Sequence, residues 1–209
     1  MKVLFTGDSI TDMGRVREWG LGGFGQGYPV LLTAKLRVKY PGKAEFINTG
    51  ISGNRVVDLY ARVKNDMWHE KPDVLSILIG INDVWHEYGD YPNGVEADRF
   101  EKVLRMLVED TLNRLPGIKI VLMEPFTLKG SGNAEYYDEF RKETELRADA
   151  VKRIAEEFNL IFVPLQKMFD DACNICEASY WLSDGVHPTP AGHQLIADKW
   201  CEVAEDKIF

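Results

Sequence analysis

Five short apolar runs, each stopped by glycine, proline or a polar turn, constrain the fold of this chain more than any other feature. They lie at residues 3–5, 44–47, 74–79, 118–123 and 160–163. Continuous apolar runs of this length, without alternation of apolar and polar residues, are typical of strands buried on both faces. Strands of this kind occur in parallel sheets that carry helices on each side.

Amphipathic segments separate these runs. Apolar residues recur at helical spacing in four of them, at 29–40, 95–115, 134–158 and 191–208. Strands that alternate with helices through right-handed crossovers place helices on both faces of one sheet. The 209 residues contain no linker or repeat, so the pattern predicts a single domain over residues 1–209. Its fold class is α/β, built as a three-layer α/β/α sandwich.

Net charge, the length of the apolar runs and the cysteine content exclude several classes of partner, location and metal site. The chain has 25 Lys and Arg residues against 33 Asp and Glu, a net charge of −8, which disfavours nucleic acid or an anionic membrane surface. No apolar run approaches the ~20 residues of a membrane helix. The first apolar run is too short for a signal peptide, so we expect a cytoplasmic protein. Cys173, Cys176 and Cys201 predict reduced structural thiols, because a zinc site needs about four ligands.

Polar residues and glycines follow three of the predicted strands, at the edge where parallel α/β sheets bind ligands. Ser9 in GDSIT follows the first strand, Gly53 in ISGN the second, and Asn82 in GIND the third. Each also has an ordinary structural interpretation. Ser9 or its neighbour can cap a helix, Gly53 can form a plain turn, and Asn82 can form an Asx turn.

A second group of polar residues lies near the end of the chain, in the sequence DGVHP. Histidine is the side chain best suited to take a proton from serine near neutral pH, which makes His187 a candidate base. Asp184 lies three residues earlier and can fix the tautomer of the ring. Pro188 disfavours helical backbone at His187 and holds it in a loop. The alternative is a surface Asp–His pair.

Together these residues supply a nucleophile, a base, an orienting carboxylate and oxyanion donors, the set that acyl transfer requires. The chain contains no G-x-S-x-G pattern, which excludes the nucleophile elbow of α/β-hydrolases as its template.

The blocks GDSIT, ISGN, GIND and DGVHP, in this order across nearly the whole chain, resemble the signature blocks of SGNH (GDSL-like) hydrolases. The resemblance implies that Ser9 is the nucleophile, His187 the base and Asp184 its partner. It also implies an oxyanion hole formed by the N–H groups of Ser9 and Gly53 and the side chain of Asn82. A flavodoxin-like sheet of five parallel strands is implied too, with no metal or other cofactor. The first block reads GDSI where the family often has GDSL, a change that does not touch the catalytic atoms.

Longer stretches, among them GDSITDMGR, NTGISGNRVVDL and IGINDVW, resemble the bacterial intracellular acetylxylan esterase branch of this family. This closer resemblance implies a serine esterase that removes O-acetyl groups from xylo-oligosaccharides through an acyl-enzyme on Ser9. The implied partners are therefore a small acetylated sugar or short-chain ester and, as is typical of the branch, further copies of the chain in a homo-oligomer.

Substrate contacts are expected from four residues within or near the blocks: Asp8, Tyr28, Trp85 and Trp181. Aromatic side chains beside a polar site suit the apolar faces of sugar rings. Core packing or a subunit interface explains such aromatics equally well, above all for Trp19 and Phe24 in the glycine-rich segment before Tyr28.

Three other functions remain open. The same constellation serves lysophospholipases and acyl-thioesterases, which need an apolar channel for the acyl chain. A catalytically idle carbohydrate-binding or scaffold protein is a second alternative, although every expected position is filled. A nucleotide binder that uses residues 7–11 as a phosphate loop would leave Asp184 and His187 unexplained, and the chain lacks the G-x-x-x-x-G-K-[ST] pattern.

Overall fold

A computed structural model describes residues 1–16 and 21–209 of the chain. In this part of the chain, five strands form one sheet in the order β2-β1-β3-β4-β5, and every neighbouring pair is parallel. This is the flavodoxin-like order, so the predicted α/β fold with a parallel sheet is confirmed. The strands are β1 (Lys2–Gly7), β2 (Glu45–Asn48), β3 (Val74–Leu78), β4 (Lys119–Met123) and β5 (Ile161–Val163).

The α-helices in these residues follow the strands in alternation. They are α1 (Ser9–Asp12), α2 (Tyr28–Lys39), α3 (Val56–Val63), α4 (Ile81–Trp85), α5 (Ala97–Arg114), α6 (Tyr137–Glu157), α7 (Gln166–Ala172), α8 (Ala178–Trp181) and α9 (Pro190–Ile208). The four helices predicted from periodicity correspond to α2, α5, α6 and α9, with ends that differ by no more than a turn. No helix in the described residues is both long and apolar enough to cross a membrane.

The core lies in two layers, one on each face of the sheet. On β1, Val3 and Phe5 belong to one apolar cluster while Leu4, between them, belongs to the other, as the alternation of side chains along a strand requires. Helices α2 and α9 pack together over the first face, and α3, α5 and α6 over the second. The chain is thus a three-layer sandwich whose central strands are covered on both sides.

Parallel pairing brings the carboxyl ends of all the strands to one edge of the sheet. Gly7 at the end of β1 pairs with Leu78 at the end of β3, and Leu78 pairs with Met123 at the end of β4. The segments that follow β1, β2 and β3 therefore emerge side by side. They are the segments that carry the predicted site residues.

Candidate active site

A tight turn at the end of β1 positions Ser9. A Cβ atom on Gly7 would collide with the carbonyl oxygen of Leu78, so only glycine allows β1 and β3 to approach this closely. The Asp8 carboxylate accepts a hydrogen bond from the N–H of Ile10 at 3.0 Å and thereby caps α1. Because Asp8 serves as the cap, Ser9 is the first residue of the helix, and its half-buried hydroxyl is available for other contacts.

Ser9, His187 and Asp184 form a continuous chain of hydrogen bonds. The Ser9 Oγ lies 2.9 Å from His187 Nε2, and His187 Nδ1 lies 2.7 Å from Asp184 Oδ2. The other carboxylate oxygen, Asp184 Oδ1, accepts hydrogen bonds from the N–H groups of Val186 at 2.9 Å and His187 at 2.8 Å. With Nδ1 donating to the carboxylate, Nε2 faces the serine as an acceptor. This is the orientation that general-base catalysis needs.

The loop that carries His187 is held from several sides. Ser183 N–H donates to the carbonyl of His187 at 2.8 Å, which closes a narrow turn. Gly185, at the tip, has a φ of 96°, a conformation that favours glycine. Its carbonyl accepts from the N–H of Leu128 at 2.9 Å and from the hydroxyl of Thr127 at 2.9 Å. The segment after β4 thus fixes the position of the loop.

The charges of the Asp184–His187 pair are strongly coupled. Partial burial acts to raise the pKa of Asp184, but the hydrogen bonds from His187 and from the two backbone N–H groups outweigh it and lower the pKa to about 2. The hydrogen bond to Asp184 in turn raises the pKa of His187 above its ordinary value, against the opposing effect of burial. The arrangement therefore makes His187 a stronger base than a free imidazole.

Gly53 and Asn82 line the same open cleft as Ser9 and His187, which has a volume of ≈ 730 Å³. Asn82 is buried near the start of α4, and its Nδ2 donates to the carbonyl of Asn54 at 3.1 Å. Gly53 is exposed and has a φ of 81°, so its backbone adopts a conformation that other residues rarely take. The structure brings both predicted oxyanion donors to the cleft that holds the serine, and their role in catalysis stays a prediction.

Asp83 supports this part of the site and was not singled out by the sequence pattern. It is fully buried, and both its carboxylate oxygens accept from the N–H of Val56, at 3.0 and 3.2 Å. Its carbonyl accepts from the N–H of Val95 at 2.9 Å. Burial raises the pKa of the Asp83 carboxyl to about 7. Asn82 and Asp83 together tie α4 to the segment that contains Gly53.

Two of the four predicted substrate contacts lie beneath the site. The side chain of Asp8 is only 1% exposed, and burial raises its pKa to about 7. Tyr28 is completely buried: its hydroxyl shares a hydrogen bond with Thr11 Oγ1 at 3.0 Å, and its backbone N–H donates to His193 Nδ1 at 3.1 Å. The expectation that Asp8 and Tyr28 touch the substrate is therefore corrected, because neither side chain reaches the surface.

The two tryptophans differ in position. Trp85 lines the cleft, with its ring centroid 5.5 Å from that of His187. Trp181 is not among the described residues that line the cleft, and its indole N–H donates to the carbonyl of Ala172 at 3.0 Å. The structure therefore does not bring Trp181 to the site. Phe24 packs against the core, and Trp19 lies outside the described residues.

The cleft has further lining residues that the sequence pattern did not single out. They lie mainly in the segment after α4: His86, Tyr88, Gly89, Asp90, Tyr91 and Asn93. The aromatic residues at positions 85, 88 and 91, spaced three apart directly after GIND, are the sequence signal that could have identified this wall.

The thiols lie apart from this cleft. Cys173 and Cys176 are half-buried, Cys201 is buried, and all three are free. Within residues 1–16 and 21–209, no group of three or more His, Cys, Asp or Glu side chains is arranged to hold a metal ion.

Comparison with known proteins supports the interpretation of the sequence blocks. A model of the GDSL-like lipase/acylhydrolase family matches residues 5–195. An acetylxylan esterase from Geobacillus stearothermophilus is 41% identical over 204 residues, which cover 94% of this chain and 90% of that protein.

Solved structures show the same likeness in three dimensions. A protein from Parabacteroides merdae described as a GDSL-like lipase superposes with a TM-score of 0.89 at 40% identity, covering 96% of this chain and 94% of that one. The crystal structure of the Geobacillus esterase, Axe2, superposes with a TM-score of 0.86 at 39% identity, covering 96% and 92%. Two further structures of Axe2 are catalytic mutants in which a serine or an aspartate is replaced by alanine.

Proposed function

The chain belongs to the GDSL-like lipase/acylhydrolase family, and from this premise we propose that it is a serine esterase that removes O-acetyl groups from xylo-oligosaccharides. The observation that carries the proposal is the hydrogen-bonded series Ser9–His187–Asp184 at the edge of an open cleft. The similarity to an acetylxylan esterase over nearly the whole length of both chains supports the choice of substrate.

The reaction proceeds in two steps. Ser9 Oγ attacks the carbonyl carbon of the acetyl ester while His187 Nε2, 2.9 Å away, takes the hydroxyl proton. The negative oxygen that forms is held by the N–H groups of Ser9 and Gly53 and by the side chain of Asn82. The sugar leaves with the proton from Nε2, and an acetyl group remains on Ser9. In the second step, water attacks the acetyl group on Ser9 while His187 again acts as base, and acetate is released.

The charge distribution of the pair suits each stage. The imidazolium that forms when His187 accepts the proton faces the Asp184 carboxylate at 2.7 Å. Asp184 stays ionised throughout, because its pKa is about 2. The carboxylate therefore stabilises the charge that develops on the ring without itself taking the proton.

The decisive experiment compares the wild type with Ser9→Ala, and with Ser179→Ala as a control on the exposed surface of α8. Acetate release from acetylated xylo-oligosaccharides and initial rates on ethyl acetate and ethyl octanoate are measured. We expect fast release of acetate, a preference for the acetyl ester, and loss of both activities in Ser9→Ala only. A preference for octanoate would indicate a lipolytic or thioesterase function, and activity that survives Ser9→Ala would overturn the mechanism.

We also propose that the protein assembles into a homo-oligomer. Ile175 and Tyr180 support this, because they expose 83% and 53% of their surface close together in sequence, in the turn after α7 and on α8. Light scattering coupled to size exclusion tests it: a monomeric mass at micromolar concentration would contradict the proposal.

A further inference from the structure

Three aromatic side chains lead outward from His187 along one wall of the cleft. Trp85, Tyr88 and Tyr91, called here the aromatic row, all line this cleft, and Trp85 lies against the His187 ring. Their exposure increases along the row: Trp85 and Tyr88 are half-buried, whereas Tyr91 is 91% exposed. The row therefore extends from the reacting atoms to the mouth of the cleft.

The inner two members are supported from behind, and the outer one is not. Tyr88 stacks on Tyr136 with ring centroids 4.0 Å apart, and Trp85 packs edge-on against Phe140 of α6 at 6.2 Å. Tyr91 makes no hydrogen bond or ring contact with any residue in the described part of the chain. A single exposed tyrosine needs no explanation, but this one continues a row that begins at the catalytic histidine.

The segment that carries Tyr91 is anchored at its base. Asn93 N–H donates to the carbonyl of His86 at 2.7 Å, which closes the loop. The Arg55 guanidinium donates to both the carbonyl and the side-chain oxygen of Asn93, at 2.5 and 2.6 Å. These contacts fix the ends of the loop before any ligand arrives, so less conformational entropy is lost on binding.

The cleft is larger than the acetyl group requires. Its ≈ 730 Å³ lies within the range of about 300–1,000 Å³ that is typical of sites for drug-sized ligands, whereas an acetyl group has only a few atoms. The remaining space must therefore accommodate the alcohol side of the ester.

The wall also has the chemistry that a neutral sugar requires. Burial lowers the pKa of His86, aided by the nearby Arg55, and this favours the neutral ring, which can both donate to and accept from a hydroxyl group. Asp90 lies beside Tyr91 and offers carboxylate acceptors. Polar groups around an exposed aromatic face match a xylose ring, which has an apolar face and a rim of hydroxyls.

We propose that Tyr91 forms an outer sugar subsite and stacks against the xylose ring next to the acetylated one. This inference rests on the proposed function, since it takes the alcohol side of the ester to be a xylo-oligosaccharide. Tyr91 then determines specificity for the leaving group and has no part in the chemistry at Ser9.

The test uses acetate esters whose alcohol increases in size: ethyl acetate, acetylated xylose and acetylated xylotriose. Tyr91→Ala is compared with Tyr91→Phe, which keeps the ring, and with Val38→Ala, which shortens an exposed apolar side chain on α2. For Tyr91→Ala we expect kcat/KM on acetylated xylotriose to fall about tenfold, equivalent to about 1.4 kcal/mol, mainly through KM. Ethyl acetate should change by less than about twofold, and the other two variants should match the wild type on every ester.

Two results would overturn the inference: an equal loss on all three esters, or no loss on acetylated xylotriose. Failure of the proposed function would look different, because the wild type itself would then hydrolyse ethyl acetate but release no acetate from acetylated xylotriose. Ethyl octanoate tests the remaining possibility, that the aromatic row binds the acyl chain of the ester. If Tyr91→Ala changes the ratio of octanoate to acetate hydrolysis, the aromatic row holds the acyl chain, and the sugar subsite is refuted.

Discussion

Replacing Asp184 with asparagine tests whether the carboxylate acts by fixing the tautomer of His187. The side-chain oxygen of asparagine can face either the two backbone N–H groups, now at 2.9 and 2.8 Å, or the single Nδ1 of His187 at 2.7 Å. Facing the backbone keeps one more of these hydrogen bonds and also lets the amide NH₂ donate to Nδ1. The difference of two hydrogen bonds is a net preference of about 2 kcal/mol, which leaves fewer than about a tenth of the molecules in the other orientation. In the preferred orientation the amide NH₂ points at Nδ1, so the ring proton moves to Nε2 and blocks the base.

The expected loss follows from these two effects. At most about a tenth of the molecules keep the productive tautomer, and in those the neutral amide no longer stabilises the imidazolium, which costs a further factor of about ten or more. The total is at least about 10²-fold in kcat/KM, roughly 3 kcal/mol, and precedent for the wrong tautomer reaches about 10⁴-fold.

Initial rates on ethyl acetate and thermal unfolding are measured for Asp184→Asn. Asp171→Asn serves as the control, since Asp171 pairs with the exposed Lys167 on the surface of α7. We expect Asp184→Asn to unfold within a few degrees of the wild type while losing at least about 10²-fold in activity. If it keeps more than about a tenth of the wild-type kcat/KM, the tautomer argument is refuted.

Three further predictions concern neighbouring groups. Asn82→Ala should lower turnover about 10²–10³-fold with little change in the unfolding temperature; wild-type activity would remove Asn82 from the mechanism. His187 must be neutral to act as base, and Asp184 raises its pKa. We therefore expect kcat/KM to fall with decreasing pH, with a midpoint above the ordinary 6.5. A midpoint below that value would contradict the effect of Asp184 on His187. Burial raises the pKa of Asp83 to about 7, so the folded state binds a proton that the unfolded chain has already lost above pH 3.8. The free energy of unfolding should therefore fall as pH rises between these values, by up to about 1.4 kcal/mol per pH unit. Urea unfolding at pH 5 and pH 7 tests this: the difference in free energy of unfolding between the two pH values should be smaller for Asp83→Asn than for the wild type.

The central strands β1, β3 and β4 were predictable because they are buried on both faces and so consist mainly of consecutive apolar residues. The run at 74–79 coincides with β3 for this reason. Helix α3, Val56–Val63, lacks the usual cap residue at its start, although Asp58 in its first turn accepts from the N–H of Arg55. Arg55 occupies the position where serine, threonine, aspartate or asparagine usually caps a helix, and the N–H of Val56 is satisfied by Asp83, 27 residues away. A cap supplied from another element cannot be read from local sequence.

The residues of the candidate site likewise fall into those that local sequence predicts and those that it does not. Ser9, His187 and the glycine turns were identifiable because each lies next to a strand end or within a short block, so local sequence carries the signal. The substrate contacts depend on burial, which tertiary packing decides. Tyr28 looks like a candidate in sequence but is covered on every side, whereas Tyr91 lies outside the four signature blocks and is almost fully exposed.

The hydrogen bond between Ser9 and His187 joins residues 178 positions apart, and this separation sets the order in which activity can appear during synthesis. The strand that precedes the nucleophile leaves the ribosome before the loop that carries its base. That loop is followed by α9, which packs on α2 and β5 and places Trp200 where its indole donates to Ser76 in the centre of the sheet. A nascent chain without residues 184–208 has a serine but no base. Esterase activity is therefore a reporter that the loop of Asp184 and His187 has reached its place beside Ser9, and a nascent chain that ends before His187 cannot hydrolyse esters.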